Sequence, residues 1–171
     1  PTDGALLIAA LKYGLNAETL LVQKPIIHMI PFDSQRKRMT TIHTSDGKTL
    51  VYTKGAPRNV LQACTKISQN GKTSNLTEEN LQSIEQKLHD FASEGLRVIA
   101  IAYKELPNTK LSNNGDAEKE MTFVGLAAMK DPPRAEVAEA VKQAKQAGIK
   151  IVIITGDYGP TAQAIAEEVG I

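Results

Sequence analysis

The sequence predicts an α+β domain, an antiparallel sheet with flanking helices, followed by an incomplete α/β piece. Three observations carry that prediction. Asp46-Gly47 stands between two runs of strand-forming residues, a strong short-range signal for a β-hairpin. An amphipathic stretch over residues 77–95 is followed at once by LRVIAIAY, a run dense in β-branched residues. After Asp131-Pro132-Pro133-Arg134 the pattern changes to helix, continuous apolar run, loop and helix, as in a parallel sheet. The domain boundary is placed there, with residues 1–127 as the first domain and 128–171 as part of a second.

In chain order, residues 3–13 read as a helix that Asp3 can cap and Gly14 can end. Residues 17–22 are ambiguous, a short helix at most. Residues 26–30 read as a strand leading into the hairpin, and residues 31–57 as two strands about Asp46-Gly47. Pro57 suits the first position of a short helix over 58–64. Residues 69–74 form a polar turn around Asn70-Gly71. Thr77 is a natural N-cap with Glu78 and Glu79 in the first turn. Leu81, Ile84, Leu88 and Phe91 then recur every three or four residues and make one buried stripe, which Gly95 stops. Residues 96–103 and 121–128 are strands, and 106–120 is a polar surface loop. The two prolines at 132 and 133 make a rigid break. Residues 135–147 form an amphipathic helix, 149–154 a strand buried on both faces, and 160–169 a helix. With only one strand, this last piece cannot close a parallel core of its own. An uncovered strand there would invite edge pairing.

The hairpin concentrates the chemistry. With Asp46 and Gly47 as the turn pair, Ser45 faces Lys48, Met39 faces Lys54, and Lys37 faces Ala56. Side chains alternate sides, so Lys37, Met39 and Lys54 share a face, with the two lysines diagonal neighbours ~7–8 Å apart. Two ammonium groups so placed repel unless an anion lies between them. Phe32 lies just upstream, one of only three phenylalanines in the chain. Gly55, just downstream, lets a ligand approach the backbone. A ring, two lysines and a close-approach glycine suit a nucleotide; the same residues also fit a solvated hairpin with basic tips.

Composition narrows the classes. The 171 residues are 42% hydrophobic, enough for one ordinary core. A net charge of +1 gives no field to draw in nucleic acid or an anionic membrane. A single cysteine, Cys64, excludes an internal disulfide and reads as a buried small hydrophobe. His28 and His89 have no partners at metal-ligand spacing, so no metal site is expected. The apolar runs are too short to span a bilayer and no signal peptide is visible. The chain opens on Pro1 and stops at Ile171 directly after a helix, so it reads as a piece of a larger protein. Neither a G-x-G-x-x-G after a strand nor a G-x-x-x-x-G-K-[ST] is present.

Several short segments stand in order along the chain: PTDGAL at 1–6, FDSQRKRM at 32–39, KGAP at 54–57, GLR at 95–97, DPPR at 131–134 and TGD at 155–157. Together they resemble the P-type cation-transporting ATPases, in the calcium-pump-like subgroup, over essentially the whole chain. The match is to the nucleotide-binding domain (1–127) and part of the phosphorylation domain (128–171), the latter haloacid-dehalogenase-like in fold.

The resemblance implies that ATP or ADP is the ligand. It implies that Phe32 stacks on adenine, that Lys37 and Met39 line the pocket, that Lys54 and Gly55 of KGAP close the other side of the base, and that Arg97 reaches the phosphates. Asp3 stands where the family usually has Glu, a carboxylate one methylene longer. Thr155, Gly156 and Asp157 match a loop of the phosphorylation domain. The D-K-T-G-T loop that carries the phosphorylated aspartate is not in this sequence, and neither is the G-D-G-x-N-D loop that helps bind Mg²⁺. The chain is therefore expected to bind nucleotide but to carry no catalytic residue, with Mg²⁺ serving the full-length pump. Its implied partners are the remaining pump domains, and its implied place is the cytoplasmic side of an integral membrane protein at the plasma membrane. Two other readings are a phosphatase fragment, which the TGD loop allows but the missing D-x-D nucleophile opposes, and a ligand-free interaction domain.

Overall fold

A computed structural model describes residues 2–107, 114–155 and 158–171. Its strands are β1 (Ile26–Asp33), β2 (Arg38–Ser45), β3 (Lys48–Gly55), β4 (Cys64–Gln69), β5 (Lys72–Asn75), β6 (Arg97–Pro107) and β7 (Met121–Met129). Its helices are α1 (Thr2–Lys12), α2 (Ala17–Gln23), α3 (Pro57–Leu61), α4 (Glu78–Ser93), α5 (Asn114–Ala117), α6 (Val137–Gln146) and α7 (Gly159–Val169). The chain divides into two compact units. The first holds residues through Asn80 together with Ile99–Ala127, and the second Leu81–Val98 together with Ala128–Ile171.

The first unit is built on a seven-stranded sheet in the order β1-β2-β3-β6-β7-β4-β5. Its centre is the Asp46-Gly47 turn, with φ of 51° and 73° at the two residues, as a primed turn demands. That turn sets the β2–β3 register as expected: Ser45 is opposite Lys48 and Met39 opposite Lys54. Alternate residues of β2, β3 and β6 then fill one face, with Thr40, Ile42, Val51, Thr53, Ala100 and Ala102 all buried.

Four expectations are corrected here. The stretch from residue 31 is not one strand, because residues 34–37 form a turn between β1 and β2. Asp33 makes that turn: its Oδ1 accepts the N–H groups of Gln35 and Arg36 at 3.0 and 2.8 Å, and its carbonyl accepts the N–H of Lys37 at 2.7 Å. The sheet is mixed rather than antiparallel, since β4 runs parallel to β7. The helix expected over 58–64 ends at Leu61, and Cys64 opens β4, which turns at Asn70-Gly71 into β5. Finally, residues 106–120 are not simply a polar surface loop. Residues 108–113 lie outside the described residues, but β6 reaches Pro107, and Ala117 and Glu118 are buried.

In the second unit α4 buries Ile84, Leu88 and Ala92, close to the expected stripe, while Leu81 and Phe91 are half-buried. At its start the Thr77 hydroxyl accepts the N–H of Asn80 at 3.3 Å, as an N-cap does. Thr161 of α7 donates to the Leu96 carbonyl at 3.2 Å, and Lys130 pairs with Glu168 at 3.0 Å. The buried strand expected at 149–154 is not formed. Those residues have no regular structure, and Ile149, Val152 and Ile154 are 58%, 66% and 95% exposed. A strand exists only against a neighbouring strand's N–H and C=O groups, and among the described residues 149–154 join no such ladder; the Ile149 N–H donates instead to the Ala144 carbonyl at the end of α6. A haloacid-dehalogenase-like sheet is accordingly not seen.

Gly55 has a steric reason to be glycine. A Cβ there would lie within 2.6 Å of the Arg38 Cα and closer still to the Lys37 carbonyl oxygen. Both neighbours are backbone-anchored and cannot swing away. Gly55→Ala is expected to lower stability by about 1–3 kcal/mol, read as a fall in urea midpoint at unchanged slope. An unchanged midpoint would show that β2 and β3 can part at that end without loss.

Candidate nucleotide site

The basic end of the β2–β3 hairpin is organised by one carboxylate. Glu118, its side chain only 5% exposed, receives Arg36 Nη1 at 2.6 and 2.8 Å on its two oxygens and Arg38 Nε at 2.8 Å. The Thr40 hydroxyl donates to Glu118 Oε1 at 2.7 Å. That uses the only hydroxyl proton of Thr40, so Thr53, 2.7 Å away across the strand pair, is the donor to Thr40. The arginines reach further. Arg36 Nη2 donates to the Pro31 carbonyl at 2.8 Å, and Arg38 Nη1 to the Asn59 carbonyl at 3.0 Å. Burial alone would raise the Glu118 pKa, but the hydrogen bonds from Arg36, Thr40 and Arg38 together outweigh it and hold the carboxyl below its ordinary value.

Around this network the structure brings most of the sequence-predicted residues into the first unit. Phe32 is on β1 and 63% exposed, a large ring left in water. Lys54, on β3, pairs its ammonium with the carboxylate of Asp3 on α1, joining two predicted residues that lie 51 positions apart. Met39 is opposite Lys54 and half-buried, and Gly55 is opposite Arg38. The close approach that Gly55 permits is filled by the chain's own backbone. Lys37 differs from its expected setting. It is exposed in the turn with φ 51°, so strand alternation does not put it on the face of Met39 and Lys54. Its carbonyl nonetheless accepts the N–H of Ala56 at 2.9 Å, so the Lys37–Ala56 pairing holds through the backbone. Arg97 opens β6, is exposed, and falls in the second unit, as does the exposed Thr155. Gly156 and Asp157 lie outside the described residues. Among the described residues no group of three or more His, Cys, Asp or Glu could hold a metal ion, and no single helix is long and apolar enough to cross a membrane.

Residues 1–136 match the family described as P-type ATPase, cytoplasmic domain N. The chain belongs to that family. A calcium-transporting ATPase of Bacillus subtilis is 41% identical over 169 residues, covering 98% of this chain and 19% of that protein. Cation-transporting ATPase pma1 of Synechocystis is 41% identical over 173 residues, covering all of this chain and 19% of its own length. Calcium-transporting ATPase 1 of Saccharomyces cerevisiae is 39% identical over 175 residues, with 18% of its length covered. The chain thus spans about a fifth of the relatives it matches, and within them it is a cytoplasmic N domain of the calcium-pump-like group.

Sequence reasoning missed Glu118, Arg36, Arg38 and Thr40 as a group. The available signal was the spacing of Arg36 and Arg38 on either side of Lys37, two charges that need a common anion. Which of 19 acidic residues supplies it was not readable, because Glu118 lies 80 and more positions away.

Two outcomes follow from the electrostatics. The Glu118 carboxyl titrates lower in the folded chain than in the unfolded one. Its contribution is therefore fully present above about pH 4.5 and is lost as pH falls through the folded value. Glu118→Gln is expected to be less stable by on the order of 2–3 kcal/mol near neutral pH. In urea melts at descending pH that gap to wild type should narrow; a constant gap would contradict it. Burial pushes the Cys64 thiol up to about 12, against the opposing charge of Arg38. Cys64 should therefore react with an aromatic disulfide reagent far more slowly in the folded chain than in urea; equal rates would refute this.

Proposed function

We propose that this N domain binds ATP or ADP at the exposed end of β1–β3, and that the whole protein couples ATP hydrolysis to cation transport. The observation that carries the reading is the ion pair of Asp3 and Lys54, in a unit that also leaves the ring of Phe32 open to solvent, all three in segments matching the family. Phe32 offers a π-face to the base. Lys54 offers an ammonium and a methylene stem that can pack on the same base. In the free chain the Asp3 carboxylate holds that ammonium. Lys37 and Arg97 supply cations for the phosphates, Arg97 through a fork of donors.

Residues 1–127 are proposed as the N domain and 128–171 as a segment of the phosphorylation domain, with Thr155, Gly156 and Asp157 in its loop. The sequence contains no D-K-T-G-T, so no phosphoryl-accepting aspartate is assigned to this chain. Among the described residues no group of three or more His, Cys, Asp or Glu could hold an ion, and Mg²⁺ is proposed for the whole protein only. Calcium is the cation proposed for the whole protein, from the names of the relatives, and the plasma membrane its place.

A pocket with one aromatic face and lysines supports weak binding, Kd on the order of 0.1–1 mM, about 4–5.5 kcal/mol. An NMR titration with ATP should move the amides around Phe32, Lys37 and Lys54. Lys54→Ala should raise Kd by about tenfold, the equivalent of roughly 1.4 kcal/mol. No shifts at millimolar ATP would overturn the assignment.

A further inference from the structure

We infer that Glu118 is a positioning residue for the nucleotide site, acting through Arg36 and Arg38 to hold Phe32 and Lys37 in place; the inference rests on the nucleotide reading given above. The Glu118 carboxylate accepts hydrogen bonds from Arg36, Arg38 and Thr40. It is buried, and it acts through its donors.

Three tethers lead from that carboxylate to the three segments that carry the site. Arg36 runs from Glu118 to the carbonyl of Pro31, the peptide group that precedes Phe32. Arg38 runs from Glu118 to the carbonyl of Asn59, on the short helix that follows Lys54-Gly55-Ala56-Pro57. Thr40 runs from Glu118 to Thr53, the residue before Lys54. The first ends on the carbonyl bonded to the Phe32 nitrogen, the third on the residue next to Lys54, and the second on α3, five residues beyond Lys54.

The charge pattern gives the same assignment. Arg36, Lys37 and Arg38 are three successive cations. Left alone they would repel, and both arginines would compete with Lys37 for any phosphate. Glu118 draws the two arginine forks inward onto one carboxylate and leaves Lys37 as the exposed cation of the three. The left-handed backbone of Lys37 is fixed at the same time, between the Asp33 turn and the bond from the Ala56 N–H.

The test is an ATP titration of the full chain, followed by NMR, for wild type, Glu118→Gln, Arg36→Gln, the double variant and Ile67→Ala. Ile67 is buried on β4 and provides a destabilised control outside the network. Arg36→Gln cuts the tether to Pro31 while Arg38 still holds Glu118, so it decides the matter if Glu118→Gln fails to fold. Each folded network variant is expected to raise Kd about five- to tenfold, with the Phe32 and Lys37 amides displaced before any ATP is added. Ile67→Ala should leave Kd at the wild-type value, and the double variant should bind no more weakly than the worse single one, as for partners in one network. Wild-type Kd in folded Glu118→Gln or Arg36→Gln would overturn the positioning role and leave the nucleotide site standing. Loss equal to that of Ile67→Ala would overturn it too, as a general effect of stability. Absence of ATP shifts in wild type itself would overturn both readings.

Discussion

The structure turns on the burial of one carboxylate. Taking Glu118 out of water is unfavourable by several kcal/mol unless its lone pairs are filled. Here they are filled by two arginine side chains and a threonine hydroxyl. The partners come from β2 and from the turn before it, 78 to 82 residues earlier in the chain. The ion pair therefore closes a long loop, and it forms only when β2, β3 and the segment entering β7 are all in register. Removing either side leaves the other charge stranded, so the network selects one arrangement of the basic end.

That arrangement links features that look independent in the sequence. Asp33 turns the chain so that Arg36 faces Glu118 and Lys37 takes a left-handed φ. The carbonyl of Lys37 then points across at β3, where it accepts from Ala56 and occupies the space that a Cβ on residue 55 would need. The glycine of Lys54-Gly55-Ala56-Pro57 and the lysine of the FDSQRKRM segment are thus two halves of one packing constraint. Gly55 is first an accommodation of the chain's own backbone.

What was legible in the sequence follows the range of the interaction. Asp46-Gly47 needs only its own backbone preferences, and it fixed the β2–β3 register to the residue. The stripe of α4 and its Thr77 cap are likewise local, and both are found. The strands β4 and β5 were hidden because CTKISQ and KTSN carry little apolar alternation, although Asn70-Gly71 between them is a hairpin turn in its own right. Phe32 and Lys54 are legible from the hairpin and again from the resemblance, Asp3 as a site residue from the resemblance alone, and the fold brings Asp3 and Lys54 together. Glu118 was not found, because its role depends on which cations the fold delivers to it.

Residues 149–154 show the same limit from the other side. Their composition, Ile-Lys-Ile-Val-Ile-Ile, has the apolar continuity of a strand covered on both faces. Yet they are largely exposed and join no strand ladder among the described residues, while the flanking α6 and α7 form as expected. A helix satisfies its backbone within itself, so sequence alone can specify it. A strand's hydrogen bonds belong to its neighbours, so the same apolar run is a strand in one setting and open chain in another. The mixed sheet of the first unit obeys that rule: β2 and β3 are set by a turn they share, and β4 joins β7 only because the chain places them side by side. The apolar character of 149–154 records what the segment can bury, and only a neighbouring strand decides whether it does.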